Sequence, residues 1–236
     1  MNTLVVILAH NEEDSIERVV SEVRRELDAE VLVVDDGSED GTRERAVRAG
    51  ARCLSLAFNA GIGVAEQAGL QVAAEEGYDF VIRMDGDGQH DPADIPLLLE
   101  SLREKQADLV IGSRYFNGRN GGGWSARLVG NRFLSWLVNR LTSYHITDAT
   151  CGFRGYGRRA LEAFARDYPD DFPEVEALMM SNLEGFTVEE VPIDSLRRES
   201  GKSVINTGVA VYYMSKVTLA VAICALRGRR GRGKIG

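Results

Sequence analysis

The chain has 236 residues, 44% hydrophobic and 27% charged, with a formal net charge of −8. That length and balance fit one sizeable α/β domain, or one domain with an appendage, and exclude a disordered or fibrous chain. Five basic residues, Arg227, Arg229, Arg230, Arg232 and Lys234, crowd the last ten positions, leaving 23 basic against 36 acidic residues elsewhere, so nucleic acid is not an expected partner.

The first half alternates strand and helix signals. Thr3 to Leu8 is an apolar β run that ends in the polar loop 9–13, and Asp14 or Ser15 caps a helix whose apolar positions Ile16, Val19, Val20, Val23 and Leu27 follow helical spacing. Val31-Leu32-Val33-Val34 is a continuous apolar strand of the kind buried on both faces in a parallel sheet. A helix from about 41 to 49 leads to a strand from Arg52 to Leu56, and another from 63 to 76 leads to a strand from Phe80 to Met84. Ile95, Leu98, Leu99 and Leu102 mark the next helix, and Leu109-Val110-Ile111 the next strand. This order predicts a doubly wound α/β fold, a Rossmann-like, mostly parallel sheet with helices on both faces. Ligands are expected beyond the carboxyl ends of its strands. Three polar clusters, at 9–13, 35–38 and 85–89, fall there.

Met84-Asp85-Gly86-Asp87-Gly88-Gln89 places two carboxylates and a carboxamide at a strand tip, with glycines that let the backbone bend. Such oxygen-rich groups suit a hard divalent cation, which could in turn hold a diphosphate. Asp35 and Asp36 can accept hydrogen bonds from a ribose or a base edge, and Asn11 and Glu12 could hold the other side of the same nucleoside. In a purely structural role these four would cap helices. Asn59-Ala60-Gly61-Ile62-Gly63 permits close backbone approach before a helix whose positive end points towards the site. Arg114 ends the fifth strand, where it could bind a phosphate. The cysteines Cys53, Cys151 and Cys224 have no metal-ligand spacing and fit a reducing cytoplasm. The apolar start lacks the basic leader of a signal peptide.

These elements carry a resemblance. Leu8-Ala9-His10-Asn11-Glu12-Glu13, Val33-Val34-Asp35-Asp36-Gly37-Ser38, Asn59 to Gly63 and Met84 to Pro92 resemble family 2 glycosyltransferases of the GT-A fold. Ile111 to Arg114, Asp148 to Arg154, Val191-Pro192-Ile193 and Arg198 to Ser203 continue it in order, and the branch is the dolichyl- or polyprenyl-phosphate mannosyltransferase-like one. The resemblance implies a catalytic domain over 1–206. Ala9, Asn11, Glu12, Asp35 and Asp36 match nucleoside contacts. Gly61, Gly86 and Lys202 belong to the donor site, with Lys202 on a loop that closes over it. Asp85, Asp87 and Gln89 match a Mg²⁺ or Mn²⁺ and diphosphate site, while Arg114 and Arg198 match residues that receive phosphates.

The chain departs from the family at His10, where an aromatic Tyr or Phe is usual, and at Leu8, where Pro is common. It lacks the Gln-x-x-Arg-Trp pattern of processive synthases. Glu174 or Glu176 could be a base or could cap a helix after Pro173. Residues 207–236 form the expected appendage: an apolar stretch from Val209 to Leu226 with a lysine near its middle, then the basic tail. This composition suits a helix lying in a membrane surface better than one crossing it. Tyr212, Tyr213 and Met214 could instead pack on a small membrane-protein partner. The combined expectation is a cytoplasmic, metal-dependent inverting enzyme, peripheral on the inner face of a membrane. It would move a hexose from a GDP-mannose- or UDP-glucose-type donor to a polyprenyl or dolichyl phosphate. The alternative is a soluble glycosyltransferase acting on a hydroxyl of a glycan or small molecule.

Overall fold

The computed structural model describes residues 2–116, 126–170 and 172–194. Arg198, Lys202 and the whole segment 207–236 lie outside the described residues. The five expected strands form at β1 (Thr3–Ala9), β2 (Glu30–Asp35), β3 (Arg52–Ser55), β4 (Phe80–Asp85) and β5 (Leu109–Ser113). Between them run α1 (Ile16–Glu26), α2 (Thr42–Arg48), α3 (Ile62–Glu75) and α4 (Ile95–Glu104). The chain continues through α5 (Ala126–Leu141), β6 (Arg154–Gly157), α6 (Arg158–Arg166), α7 (Pro173–Glu184) and β7 (Val188–Pro192).

The seven strands form one sheet in the order β3-β2-β1-β4-β6-β5-β7. All pairings are parallel except those of β6, which runs antiparallel to both β4 and β5. The sheet is thus mostly parallel, with one reversed strand that the sequence reading did not include. Every residue of β1 is buried, as expected for a central strand covered on both sides. Register assigns the sides. Val6 lies beside Arg83 and Val5 beside Ile82. The first pair faces α3: Gly69 of that helix comes so near that an added Cβ would lie 2.6 Å from Val6 Cγ1. Ile82 faces the other way, towards Leu102 of α4 across Gly155.

The same register aligns the strand tips. Leu8 pairs with Asp85 and Ala9 with Asp35, so the acidic ends of β2 and β4 flank the end of β1. The switch in strand order falls between β1 and β4, where doubly wound sheets open a crevice. Beyond β2 the chain turns at Gly37, whose φ is +67°. A Cβ there would lie 2.4 Å from the backbone carbon of Phe58. Left-handed strain and overlap with unyielding backbone act together, so Gly37→Ala should cost about 2–4 kcal/mol in urea unfolding. A variant as stable as the parent would contradict this packing.

Candidate active site

A cleft of about 330 Å³ opens at these strand tips, lined by Leu8, Ala9, His10, Glu12, Asp36, Asn59, Ile62, Ala65, Asp85, Gly86 and Asp87. Of the residues expected from sequence, Ala9, Glu12, Asp36, Asp85, Gly86 and Asp87 therefore meet in one cavity. Gly86 allows the close meeting of β4 and β1: its N–H donates to the Leu8 carbonyl at 2.8 Å, and a Cβ would sit 3.1 Å from that oxygen. The Ser15 hydroxyl lies 2.7 Å from the Gly86 carbonyl and 3.2 Å from the Glu12 carboxylate, which ties the start of α1 to the acidic turn.

Asp36 is buried, and its carboxylate accepts hydrogen bonds from the N–H groups of Ala60 (2.7 Å) and Gly61 (3.0 Å). It thus fixes the glycine loop against β2, and Gly61 itself takes φ +100°. Asp35 is also buried and accepts from the Ser38 N–H at 3.0 Å. That bond closes a turn after β2 and is not a cap of α2, which begins at Thr42 without a side-chain cap, and Asp35 lies outside the cleft lining. Asn11 adopts φ +55°, its backbone donating to Ser38 Oγ and its side-chain oxygen accepting from the Glu39 N–H. His10 directs Nδ1 at the Asp36 carbonyl (2.8 Å), so that nitrogen carries the proton and Nε2 is left to accept from Asn11 Nδ2 (3.1 Å).

In the acidic turn, both the backbone N–H and the carboxamide of Gln89 donate to Asp87. Gln89 therefore orients that carboxylate. Asp85 is held from three directions. Its Oδ1 lies 3.0 Å from Arg83 Nη2, its Oδ2 lies 3.7 Å from His90 Nε2, and its N–H donates to His90 Nδ1 at 3.1 Å. Burial pushes the His90 pKa down; Asp85 opposes that shift and Arg83 adds to it. The ring is therefore neutral, with Nδ1 as acceptor, and it stacks on Phe153 at 5.0 Å.

Among the described residues no group of three His, Cys, Asp or Glu side chains forms a preassembled metal cage. Two carboxylates in an open cleft instead suit a cation that takes its remaining ligands from substrate phosphates. The donor set fits Mg²⁺ or Mn²⁺.

Arg114 stands apart from the cleft lining. Its guanidinium makes a two-pronged contact with Asp148, at 2.7 and 2.9 Å, and reaches Thr150. Burial disfavours its charge, yet Asp148 together with the neighbouring Cys151 and Tyr115 outweighs it, and the pKa is raised. Asp148 in turn accepts the Arg114 N–H, and Glu190 accepts the N–H groups of Thr147 and Asp148. The Glu174 carboxylate, half-buried, lies 3.9 Å from Arg83, and burial raises its pKa. Arg83 and Glu66 carry no motif in the sequence, and Asp148 stands only within the matched stretch Asp148 to Arg154, without the role it plays here. The available signal was a charged residue inside the apolar run Val81-Ile82-Arg83-Met84.

This sheet, with its acidic cleft at the end of β4, is a GT-A fold, the architecture of nucleotide-sugar-dependent transferases. Glucosyl-3-phosphoglycerate synthase from Mycobacterium tuberculosis, solved with Mn²⁺, UDP and glucosyl-3-phosphoglycerate, superimposes with a TM-score of 0.71 at 22% identity, covering 95% of this chain and 80% of that one. The family model for glycosyl transferase family 2 matches residues 4–164, and the chain belongs to that family as a glycosyltransferase. It is 33% identical to undecaprenyl-phosphate mannosyltransferase from Micrococcus luteus, over 98% of this chain and all of the relative. It is 32% identical to polyprenol monophosphomannose synthase from Mycolicibacterium smegmatis, over 98% of this chain and 90% of that one.

The buried neutral His90 has a pH consequence. Its folded pKa lies below the ordinary value, so its stabilisation is complete above about pH 6.5 and is lost as pH falls through the folded pKa. Urea midpoints should therefore drop more steeply below pH 6.5 in the parent than in His90→Gln. Equal slopes would mean that His90 is not held neutral.

Proposed function

We propose that this glycosyltransferase moves a hexose from a nucleoside diphosphate sugar of the GDP-mannose or UDP-glucose type to a polyprenyl or dolichyl phosphate. The observation that carries the reading is the juxtaposition of Asp85 and Asp87 with Glu12 and Asp36 in one cleft, in a chain a third identical to undecaprenyl-phosphate mannosyltransferase along nearly its whole length. The nucleoside lies between the β1 and β2 ends, attended by Ala9, Asn11, Glu12, Asp35, Asp36 and Gly61. Asp85 and Asp87, with Gln89 beside them, hold Mg²⁺ or Mn²⁺. A cation held there would supply positive charge to offset the negative charge building on the departing diphosphate. Arg114 and Arg198 receive phosphate groups, and Lys202 adds charge over the donor.

An oxygen of the acceptor phosphate attacks the anomeric carbon as the bond to the donor diphosphate breaks, so one displacement inverts the configuration. That acceptor is already an anion at neutral pH and needs no strong base. The pairing of Glu174 with the buried Arg83 is in keeping with this. Incubation with Mn²⁺, a panel of nucleotide sugars and short polyprenyl phosphates should yield glycolipid. Asp87→Ala should lower the rate at least about 100-fold, in line with the loss of a metal-borne charge at the transition state. Transfer to hydroxyl acceptors alone would favour the soluble alternative.

A lipid acceptor calls for contact with a membrane surface. Among the described residues no helix is long and apolar enough to cross one. Helix α5 offers a different mode of contact. Val129, Phe133 and Trp136 are exposed at spacings of four and three, with the two rings 6.0 Å apart. Arg132 and Arg140 are exposed on the same helix, which contains no Asp or Glu. Aromatic anchors with arginines suit an anionic bilayer surface. Co-sedimentation with vesicles containing phosphatidylglycerol should fall roughly tenfold in the double variant Phe133→Ser, Trp136→Ser. Undiminished sedimentation would remove α5 from the membrane contact.

A further inference from the structure

The segment from Asp148 to Arg154 takes no direct part in the cleft lining; one of its residues holds Arg114, and two bear on groups that contact Asp85, which does line it. Asp148 holds Arg114. Phe153 stacks on His90, which accepts the Asp85 N–H. Gly152 leaves room for Arg83: a Cβ on it would lie 1.6 Å from Nη1 and 2.7 Å from Cζ of that guanidinium.

Arg83 is only 1% exposed. Its Nε lies 3.3 Å from Glu66 of α3, and its Nη2 is 3.0 Å from Asp85 and 3.9 Å from Glu174 of α7. Tyr156 donates a hydrogen bond to Glu66, and Arg154, also fully buried, donates to the Glu174 carbonyl. Arg83 thus faces the carboxylates of Glu66, Glu174 and Asp85, while Arg154 braces the backbone of Glu174. Only Asp85 among the three lines the cleft. A lysine could not reach several carboxylates at once, because its charge is a point and not a planar fork.

We propose that Arg83 and Gly152 form a positioning unit that fixes the Asp85 carboxylate for a divalent cation bound together with a nucleoside diphosphate. The inference rests on the functional reading above and extends it from the carboxylates to the groups that aim them. Arg83 touches no substrate; it acts through Asp85. Residues behind a metal ligand commonly govern affinity by 10–100-fold.

The test is Mn²⁺ binding followed by the electron paramagnetic resonance signal of the free ion, with and without GDP or UDP, alongside nucleotide binding without metal. In Gly152→Ala and Arg83→Met, Mn²⁺ should bind the nucleotide complex at least about tenfold more weakly, while metal-free nucleotide binding changes less than about twofold. Arg83→Lys should recover part of the loss, because the charge remains but the fork does not. Should Gly152→Ala fail to fold, Arg83→Lys and Arg83→Met carry the test, with thermal melting as the check on folding. Folded variants that bind Mn²⁺ as tightly as the parent would overturn the assignment. A parent that binds nucleotide without recruiting Mn²⁺, or an Asp87→Ala variant that recruits it normally, would instead overturn the functional reading, and this proposal with it.

Discussion

Because β1 pairs in parallel with β2 on one side and β4 on the other, Ala9, Asp35 and Asp85 arrive together at one edge of the sheet. A slip of one residue in either pairing would turn every side chain of the slipped strand to the opposite face. Arg83 would then leave Glu66 and α3, and Ile82 would enter the polar side. Burial of apolar side chains on both faces of β1 makes such a slip very costly. The geometry of the cleft is therefore enforced by hydrophobic packing several residues below it, not by the polar groups that line it.

Electrostatics completes what the register begins. Carboxylates crowded at one sheet edge repel each other, and the fold answers with fixed partners. Asp36 is satisfied by two backbone N–H groups, Asp87 by Gln89 and Asp85 by a buried arginine, while the imidazole of His90 accepts the Asp85 backbone N–H. Each partner also ties a different element to the cleft: the loop before α3, the acidic turn itself, and the core between α3 and α7. For Asp36, which is buried, losing its two N–H partners would leave an unsatisfied carboxylate and cost stability.

Much of this was legible in the sequence, for identifiable reasons. Strands β1, β2, β4 and β5 announce themselves as continuous apolar runs, and α1 as a helical stripe. The acidic tips were legible because carboxylates and glycines interrupt those runs sharply. Strand β6 was not: Arg-Gly-Tyr-Gly carries a charge and two glycines and owes its pairing to neighbours on both sides. Strand β7 mixes two glutamates with a proline at the sheet edge and offers no continuous apolar run. Gln89 and Asp35 had been read as ligand contacts, and the structure supplies them with internal partners. The roles of Arg83, Glu66 and Asp148 depend on contacts between residues far apart in the chain, such as Arg114 with Asp148, and no local pattern encodes those.

The reversed strand has a consequence for reach. Since β6 lies between β4 and β5, the tips bearing Asp85 and Arg114 stand two interstrand spacings apart, roughly 10 Å. A molecule engaging both must bridge that width, about the breadth of a six-membered ring with a substituent at each side. One antiparallel insertion thereby acts as a ruler cut into the sheet.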